Sequence, residues 1–234
     1  MVAQTQEDGS TSLPEPLRPL ILPLGDRNLL VRFGRRLTDS ANKSAILAAK
    51  ILSGANLGGV QEITPSLISV CLRYDPVQTG FVQLSNAVSL TLSSAGRAPE
   101  MSAGTMKINV RYGGEIGSDL EDAAAACTLS PQEFIAAHNS ATLRVLATGF
   151  APGFVYCGMH EKRLHIPRRK KIHARVPPGS VIFAAGQTAI TATHVPTGWH
   201  VIGRTDFRNF NPANEPPTKL AVGGIIRFSS DMRE

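Results

Sequence analysis

Glycine and proline recur every few residues between Thr148 and Arg204 and separate short apolar runs. This spacing interrupts the 3.6-residue periodicity that a helical bundle needs, and it favours short strands joined by shaped turns. We therefore predict a closed β-barrel or a β-sandwich for this part of the chain. The strands we expect are 143–148, 181–184, 189–192, 201–205 and 224–228.

The first hundred residues have a different pattern, in which pairs of strands alternate with helices. A hairpin is predicted over 18–33, and a helix begins near Asp39. Two more strands, within 60–63 and 67–74, precede a second helix over 81–92. The order strands, helix, strands, helix predicts an α+β sandwich of ferredoxin-like type.

Composition divides the chain into four parts. Residues 1–17 are mostly polar and lack the apolar core of a signal peptide, so we predict a disordered leader. The ferredoxin-like domain is placed at 18–95, and a linker rich in serine, alanine and glycine at 96–105. Residues 106–234 would then form the barrel domain, with two helices at its start.

Capping-box spacing locates those two helices. Ser118 and Glu121 have the serine-to-glutamate spacing that begins a helix. Ser130 and Glu133 have the same spacing, and Pro131 stands at the first helical position.

The net charge of +6 is concentrated in one segment. This basic segment either is a solvated loop or binds an anion such as a carboxylate, a phosphate or an acidic partner surface. No aromatic residue interleaves with its cations, so we expect no nucleic-acid partner. The cations are Lys162, Arg163, Arg168, Arg169, Lys170, Lys171 and Arg175.

The spacing of the cysteines and histidines argues against disulfides and metal sites. The 3 cysteines form no paired spacing, which argues against a disulfide framework and a structural zinc site. The histidines show no ligand spacing either, so we predict no metal. No apolar run approaches the length of a membrane span, and we expect a cytoplasmic protein that does not bind a membrane.

A tight turn precedes an aromatic group in the segment rich in glycine and proline. Pro152-Gly153 favours such a turn, because proline presets φ and glycine accepts a positive φ. The turn either anchors the rings of Phe150 and Phe154 in a core or displays Tyr156. The phenol of Tyr156 can donate to a substrate carbonyl, which makes it a candidate catalytic residue.

Two adjacent arginines, Arg168 and Arg169, follow Pro167. A guanidinium presents a planar fork that matches a carboxylate with two hydrogen bonds, so both arginines are candidate substrate ligands. The alternative is that one pairs with an acid of this chain while the other faces a partner.

Gln187 and Thr188 lie between two predicted strands. An amide both donates and accepts hydrogen bonds, which suits an amide or ureido substrate, so we take these two residues as candidate substrate ligands. A hydrogen bond to the backbone of this chain is an equally good use of Gln187.

His138 lies at the end of the second predicted helix of the barrel domain. Imidazole is suited to proton transfer near neutral pH, and His138 is therefore a candidate catalytic residue. A favourable interaction with the helix dipole is the alternative that we prefer from the sequence.

Five motifs in fixed order resemble one protein family. It is the family of the B subunit of 5-oxoprolinase, also called allophanate hydrolase subunit 1, which recurs in the carboxyltransferase region of urea carboxylase and in an inhibitor of a sporulation histidine kinase. The resemblance covers roughly 107–228, and the first hundred residues more weakly. The motifs are Thr148-Gly149-Phe150-Ala151-Pro152-Gly153-Phe154-Val155-Tyr156, Leu164-His165-Ile166-Pro167-Arg168-Arg169, Val176-Pro177-Pro178-Gly179-Ser180-Val181, Gly186-Gln187-Thr188 and Gly198-Trp199-His200-Val201-Ile202-Gly203-Arg204-Thr205.

The resemblance implies a cyclophilin-like barrel and a component of a heteromeric, ATP-dependent amidohydrolase that cleaves a small amide, either 5-oxoproline or allophanate. The active site would be shared with a second, larger subunit, and this chain would be inactive alone. ATP would be used by the complex, and its site is not located in this chain.

Other functions stay open from the sequence. They are a biotin-dependent carboxyltransferase module, a non-catalytic inhibitor of a kinase and, by fold analogy alone, a peptidyl-prolyl isomerase. The chain departs from the family pattern at Val155, where proline is usual, and at Ala189 and Thr197. The sequence therefore leaves the substrate and the stoichiometry of the complex open.

Overall fold

The computed structural model describes residues 19–94 and 104–231. The predicted leader, 1–17, and most of the predicted linker, 96–105, lie outside these ranges. The division into two domains at that linker therefore stays a prediction. The described residues form one four-stranded sheet with two helices, followed by a closed barrel with two further helices.

An antiparallel sheet with two helices forms the first part. Its strands follow the order β1-β2-β4-β3, and its apolar faces pack together around Leu29, Leu52 and Leu72. The elements are β1 (Leu20–Leu24), β2 (Asn28–Arg32), α1 (Asp39–Gly54), β3 (Val60–Ser66), β4 (Ser69–Tyr74) and α2 (Phe81–Ser94).

The ferredoxin-like topology predicted for this part is not confirmed. A ferredoxin-like chain runs strand–helix–strand twice, so that a helix separates its first two strands. Here β1 and β2 are joined as a hairpin and pair directly, and β3 and β4 repeat the arrangement after α1. The two hairpins meet where β2 pairs with β4.

The second part confirms the predicted α+β class with a closed β-barrel, which is consistent with a cyclophilin-like fold. Seven strands close in the order β10-β7-β6-β13-β5-β12-β9, and β8 and β11 form a separate two-stranded sheet. The elements are β5 (Thr105–Tyr112), α3 (Leu120–Ala126), α4 (Pro131–Ser140), β6 (Thr142–Thr148), β7 (Val155–Gly158), β8 (His173–Val176), β9 (Ser180–Ala184), β10 (Gln187–Ile190), β11 (Val195–Thr197), β12 (His200–Arg204) and β13 (Ile225–Ser230).

One parallel pairing, between β13 and β5, completes the ring of otherwise antiparallel strands. Closure removes the unpaired edges that an open sheet would expose. Strands on the β9–β10 side are buried on both faces. Val181 and Phe183 belong to the interior core, whereas Ile182 and Ala184 belong to a second apolar cluster outside the wall.

The two predicted capping boxes have different outcomes. At α4 the Ser130 hydroxyl accepts from the Glu133 backbone and the Glu133 carboxylate accepts from Ser130, which confirms the prediction. The capping box at Ser118 is wrong. A 3-10 turn over 114–117 comes first, and Ser118 ends it with αR backbone angles instead of the extended ones of an N-cap. Helix α3 therefore begins one residue later, after Asp119.

In the described ranges, we find no helix with the length and hydropathy needed to cross a bilayer.

A buried amide joins the barrel to the first sheet. The Asn42 side chain donates to the carbonyl oxygens of Leu67 (2.6 Å) and Leu146 (3.1 Å). Its oxygen accepts from Arg144 at 3.3 Å, and Arg144 also pairs with Asp39 at 2.8 Å. Because Asn42 is fully buried, its own end of each hydrogen bond is shielded from water.

Replacing this amide should therefore weaken the whole chain. We expect Asn42→Ala to lower the free energy of unfolding by roughly 1–3 kcal/mol, because two carbonyl groups lose a buried donor. Urea unfolding followed by circular dichroism measures the change. Asn86→Ala, at an exposed position of α2, is the matched control and should stay within about 0.5 kcal/mol of the parent. Equal stability of the two variants would contradict this account of Asn42.

Candidate functional site

Strands β7 and β10 carry the predicted site residues on opposite faces of the barrel wall. Tyr156 pairs with Ala189, and Thr188 pairs with Cys157. Since successive side chains of a strand alternate between faces, Thr188 faces the interior core while Gln187 shares the outer face with Tyr156. The structure therefore divides the sequence candidates between an inner and an outer group.

The inner group is a line of hydrogen bonds through the barrel core. The two ring nitrogens of His138 lie 2.8 Å from the Tyr112 hydroxyl and 2.8 Å from the Thr188 hydroxyl. The same Thr188 oxygen lies 2.9 Å from Nε2 of His160, whose ring stacks on His138 with centroids 4.7 Å apart. His138 is thus held by the core as well as by the end of α4, which is more than the helix-dipole alternative required.

Burial determines the charge of both histidines. His138 is fully buried, and burial lowers its pKa to about 4. Burial also lowers the pKa of His160, to about 2, and the nearby rings of His138 and His165 act in the same direction. Both imidazoles are therefore neutral at physiological pH. Burial likewise raises the pKa of Tyr112, so its phenol keeps its proton.

The outer group centres on a row of aromatic rings, Phe150, Phe154, Tyr156 and Trp199, that we call the aromatic row. Neighbouring rings of this row have centroids 5.5, 4.8 and 5.9 Å apart. Phe150 is 71% exposed at one end, and the Arg168 guanidinium lies 5.8 Å from the Trp199 ring at the other. The row places an exposed cation, a half-buried phenol and apolar surface side by side.

Tyr156 has a hydroxyl that is free to bind a ligand. Burial raises its pKa, and the nearby Arg168 acts in the opposite direction. Among the described residues no hydrogen bond engages this hydroxyl, whereas that of Tyr112 is used twice. The phenol is therefore protonated and able to donate at neutral pH.

Arg169 differs from its neighbour in being paired within the chain. Its guanidinium lies 3.2 Å from the Asp119 carboxylate, and only 18% of its side chain is exposed. The other Asp119 oxygen accepts from the His173 ring at 2.7 Å and from the Val201 backbone at 2.8 Å. This cluster fixes the segment that carries Arg168 against β12, and it matches the alternative in which one arginine pairs internally.

Gln187 follows a tight hairpin turn. Ala185 and Gly186 both have positive φ, 51° and 69°, as a two-residue hairpin requires. A side chain at Gly186 would collide with the His165 ring, so glycine is needed there for space as well. Within the described ranges the Gln187 amide makes no hydrogen bond, and it remains available on the outer face.

The glycine-rich segment before α3 does not fit a phosphate. A Cβ at Gly117 would collide with the Ile202 carbonyl oxygen, so the 3-10 turn packs directly on β12. Its neighbours include Glu115 and the buried Asp119, which would repel an anion. The described residues also contain no group of three or more acidic, histidine or cysteine side chains that could hold a metal ion.

Two residues of these groups were missed from the sequence. No sequence motif relates Asp119 to its partners Arg169 and His173, because they are 50 and 54 positions away. His160 has no spacing that relates it to His138. The sequence indicated part of the aromatic row, since Tyr156, Arg168 and Trp199 all lie in the motifs that carry the family resemblance.

The comparisons with known proteins agree with the fold. Residues 19–220 match the family model described as "Carboxyltransferase domain, subdomain C and D". The chain is 32% identical over 222 residues to the B subunit of the 5-oxoprolinase of Bacillus subtilis (strain 168), covering 91% of this chain and 92% of that one.

Solved structures give two further similarities. TTHA0988 superposes with a TM-score of 0.77 at 30% identity over 89% of this chain, and the matched region spans 41% of that longer chain. The urea amidolyase of K. lactis superposes with a TM-score of 0.78 over 94% of this chain and 15% of its own. Its identity of 14% supports a shared fold and no more.

The lowered histidine pKa values predict an acid-sensitive fold. Both rings are neutral when folded but take a proton in the unfolded chain below about pH 6.5. Stability should therefore be complete above that pH and fall as the pH drops toward 4, by up to about 1.4 kcal/mol per pH unit for each ring. Urea unfolding between these pH values measures the slope.

Two variants test whether the slope belongs to the inner group. His138→Asn should lower the slope of stability against pH by the contribution of one ring, because one proton fewer is taken up on unfolding. This expectation holds whatever the variant does to stability at neutral pH. His194→Gln, at an exposed position, should leave the slope unchanged. A parent protein whose stability is flat across this window would contradict the assignment.

Proposed function

The chain belongs to the family of carboxyltransferase domains, subdomain C and D, and on this premise we propose that it is one subunit of a heteromeric 5-oxoprolinase-type complex. The observation that carries the proposal is the similarity to the B subunit of the Bacillus subtilis 5-oxoprolinase, which extends over 92% of that protein. We propose hydrolysis of a small cyclic or linear amide, with 5-oxoproline as the first candidate and allophanate as the second.

The outer group supplies chemistry that suits such a substrate. A carboxylate would bind Arg168, whose guanidinium is exposed, because that of Arg169 is already paired with Asp119. The protonated hydroxyl of Tyr156 would donate to the amide carbonyl and polarise it. Gln187 and Thr188 are the other two candidate substrate ligands. Gln187 is better placed to contact substrate, because its free amide lies on the outer face whereas Thr188 is buried.

The open form of this group supports an active site shared with a second polypeptide. Phe150 and Arg168 are exposed at the two ends of the aromatic row, so one side has no wall among the described residues. We propose that the larger subunit of the same family supplies that wall and the remaining catalytic groups. This chain alone would then be inactive.

ATP would activate the amide by phosphorylation, and we propose that its site lies on the partner. The support is that the glycine-rich segment before α3 packs closely on β12 and carries acidic side chains that would repel a phosphate. Arg168 and Tyr156 would hold and orient the substrate while the partner delivers the phosphoryl group.

A carboxyltransferase is the second candidate, because the matching family model is named for that activity. In this case a biotin-carrier protein would bring the carboxylate, and the same outer group would bind the acceptor. The two functions differ in their cofactor, so they can be separated by assay.

The test is to co-express this chain with the larger subunit and to assay 5-oxoproline, urea and allophanate, with and without ATP. We expect the pair of subunits to hydrolyse ATP only when 5-oxoproline is present. We expect the isolated chain to hydrolyse neither ATP nor 5-oxoproline. Dependence on a biotin carrier would favour the carboxyltransferase. Turnover by the isolated chain would contradict the shared site.

Arginine variants of the reconstituted pair test the outer group. Arg168→Ala should raise KM for the carboxylate substrate roughly 10- to 100-fold, the equivalent of one lost charged hydrogen bond. Arg175→Ala removes an exposed cation of β8 and is the matched control, with KM unchanged. Arg169→Ala should instead lower stability, by roughly 1–3 kcal/mol, because Asp119 stays buried without its cation. An unchanged KM for Arg168→Ala would remove it from the substrate site.

A further inference from the structure

The inner group has one hydrogen-bonding atom that the barrel leaves without a partner. Nδ1 of His160 is buried and makes no hydrogen bond within the described residues. A buried polar atom without a hydrogen bond destabilises the folded chain. This atom lies at the end of a line of hydrogen bonds and beside a second buried histidine. Packing alone does not explain such a position.

The direction of every hydrogen bond in the line follows from its outer end. The Asn139 amide nitrogen donates to the Ser230 hydroxyl, so its oxygen is the atom that faces Tyr112 at 2.7 Å. That oxygen can only accept, and the single proton of the Tyr112 hydroxyl is therefore used there. The Tyr112 oxygen must then accept from Nδ1 of His138.

The same reasoning continues inward. A neutral His138 that is protonated at Nδ1 has a bare Nε2, which accepts the proton of the Thr188 hydroxyl. The Thr188 oxygen is then free to accept from Nε2–H of His160. Neutral His160 consequently has a bare lone pair at Nδ1, the atom without a partner. One arrangement of protons satisfies every bond and leaves an acceptor at the inner end.

We propose that Tyr112, His138, Thr188 and His160 form a proton relay through the barrel interior, with Nδ1 of His160 as the end that takes up a proton from an N–H or O–H acid. A proton bonded to Nδ1 releases the one on Nε2 to the Thr188 oxygen. Thr188 passes its own hydroxyl proton to Nε2 of His138. The donor is left as its conjugate base, His160 is neutral with its proton on the other nitrogen, and His138 carries the positive charge.

The surroundings favour His138 as the resting place of that charge. As an imidazolium it donates from Nδ1 to Tyr112 and from Nε2 to Thr188, so both of its protons have acceptors. The titratable groups that face the two rings are each other, Tyr112 from β5 and His165, which bonds the His160 carbonyl at 3.1 Å. Aromatic rings of α4, β9 and β13 also pack against His138: Phe134, Phe183 and Phe228.

His165 is the exposed titratable residue that lies beside His160. Its ring packs against Gly186, and its Nε2 lies 3.1 Å from the backbone carbonyl oxygen of His160.

Nitrogen-15 spectra of the imidazoles in the full chain test the relay, because protonated and bare ring nitrogens resonate far apart. At about pH 7 we expect a single tautomer for each ring, with the proton on Nδ1 of His138 and on Nε2 of His160. Lowering the pH to about 4.5 should shift Nε2 of His138 and Nδ1 of His160 together. The opposite tautomers, a shift of His138 alone, or no shift at all would overturn the proposal.

Threonine variants separate the relay from general packing. Thr188→Val keeps the shape but removes the hydroxyl, so both rings should lose their single-tautomer signature, and Thr188→Ser should restore it. Thr191→Val removes another buried hydroxyl, one that bonds Pro177 and Ser180, and should leave both rings unchanged. If Thr188→Val gives the parent spectrum, or Thr191→Val changes the rings equally, the relay fails.

Discussion

Burial of both faces of strand β9 is the constraint on which the rest of the structure depends. Every residue of β9 is buried, so neither side of this strand faces water. The interior side holds Phe183 and the two histidines, and the exterior side supports the aromatic row. A shift of register by one residue would exchange the two sets of side chains and destroy both groups at once. Close packing therefore fixes the chemistry of the inside and of the outside together.

The sequence predicted the class of fold because its signals are local. Glycine and proline mark turns wherever they occur, and the capping box at Ser130 needs no distant partner. The same local signal misled at Ser118, where contact with β12 decided the local conformation. The ferredoxin-like label was not confirmed for a related reason: periodicity gives the order of strands and helices along the chain but not which strands become neighbours.

The candidate site was predictable in its residue types and only partly in its grouping. Tyr156, Arg168 and Trp199 come together because the loops that carry Arg168 and Trp199 fold onto the face of β7 that carries Tyr156. Thr188 and Gln187 are adjacent in sequence and were considered as a pair, yet strand alternation sends them to opposite faces. Asp119 escaped notice because a carboxylate becomes a structural centre only when chain segments far apart bring their donors to it.

The pairing of β13 with β5 has a consequence for how the chain acquires its structure. Ser229 and Asn109, which bond across this pair, are 120 positions apart, whereas the hairpins of the first sheet join near neighbours. Long-range pairing must overcome a larger loop-closure entropy and slows folding. During synthesis we expect the first sheet to form early, and the ring to stay open until β13 emerges from the ribosome. An unclosed ring exposes strand edges, so this interval is when the nascent chain most needs protection from aggregation.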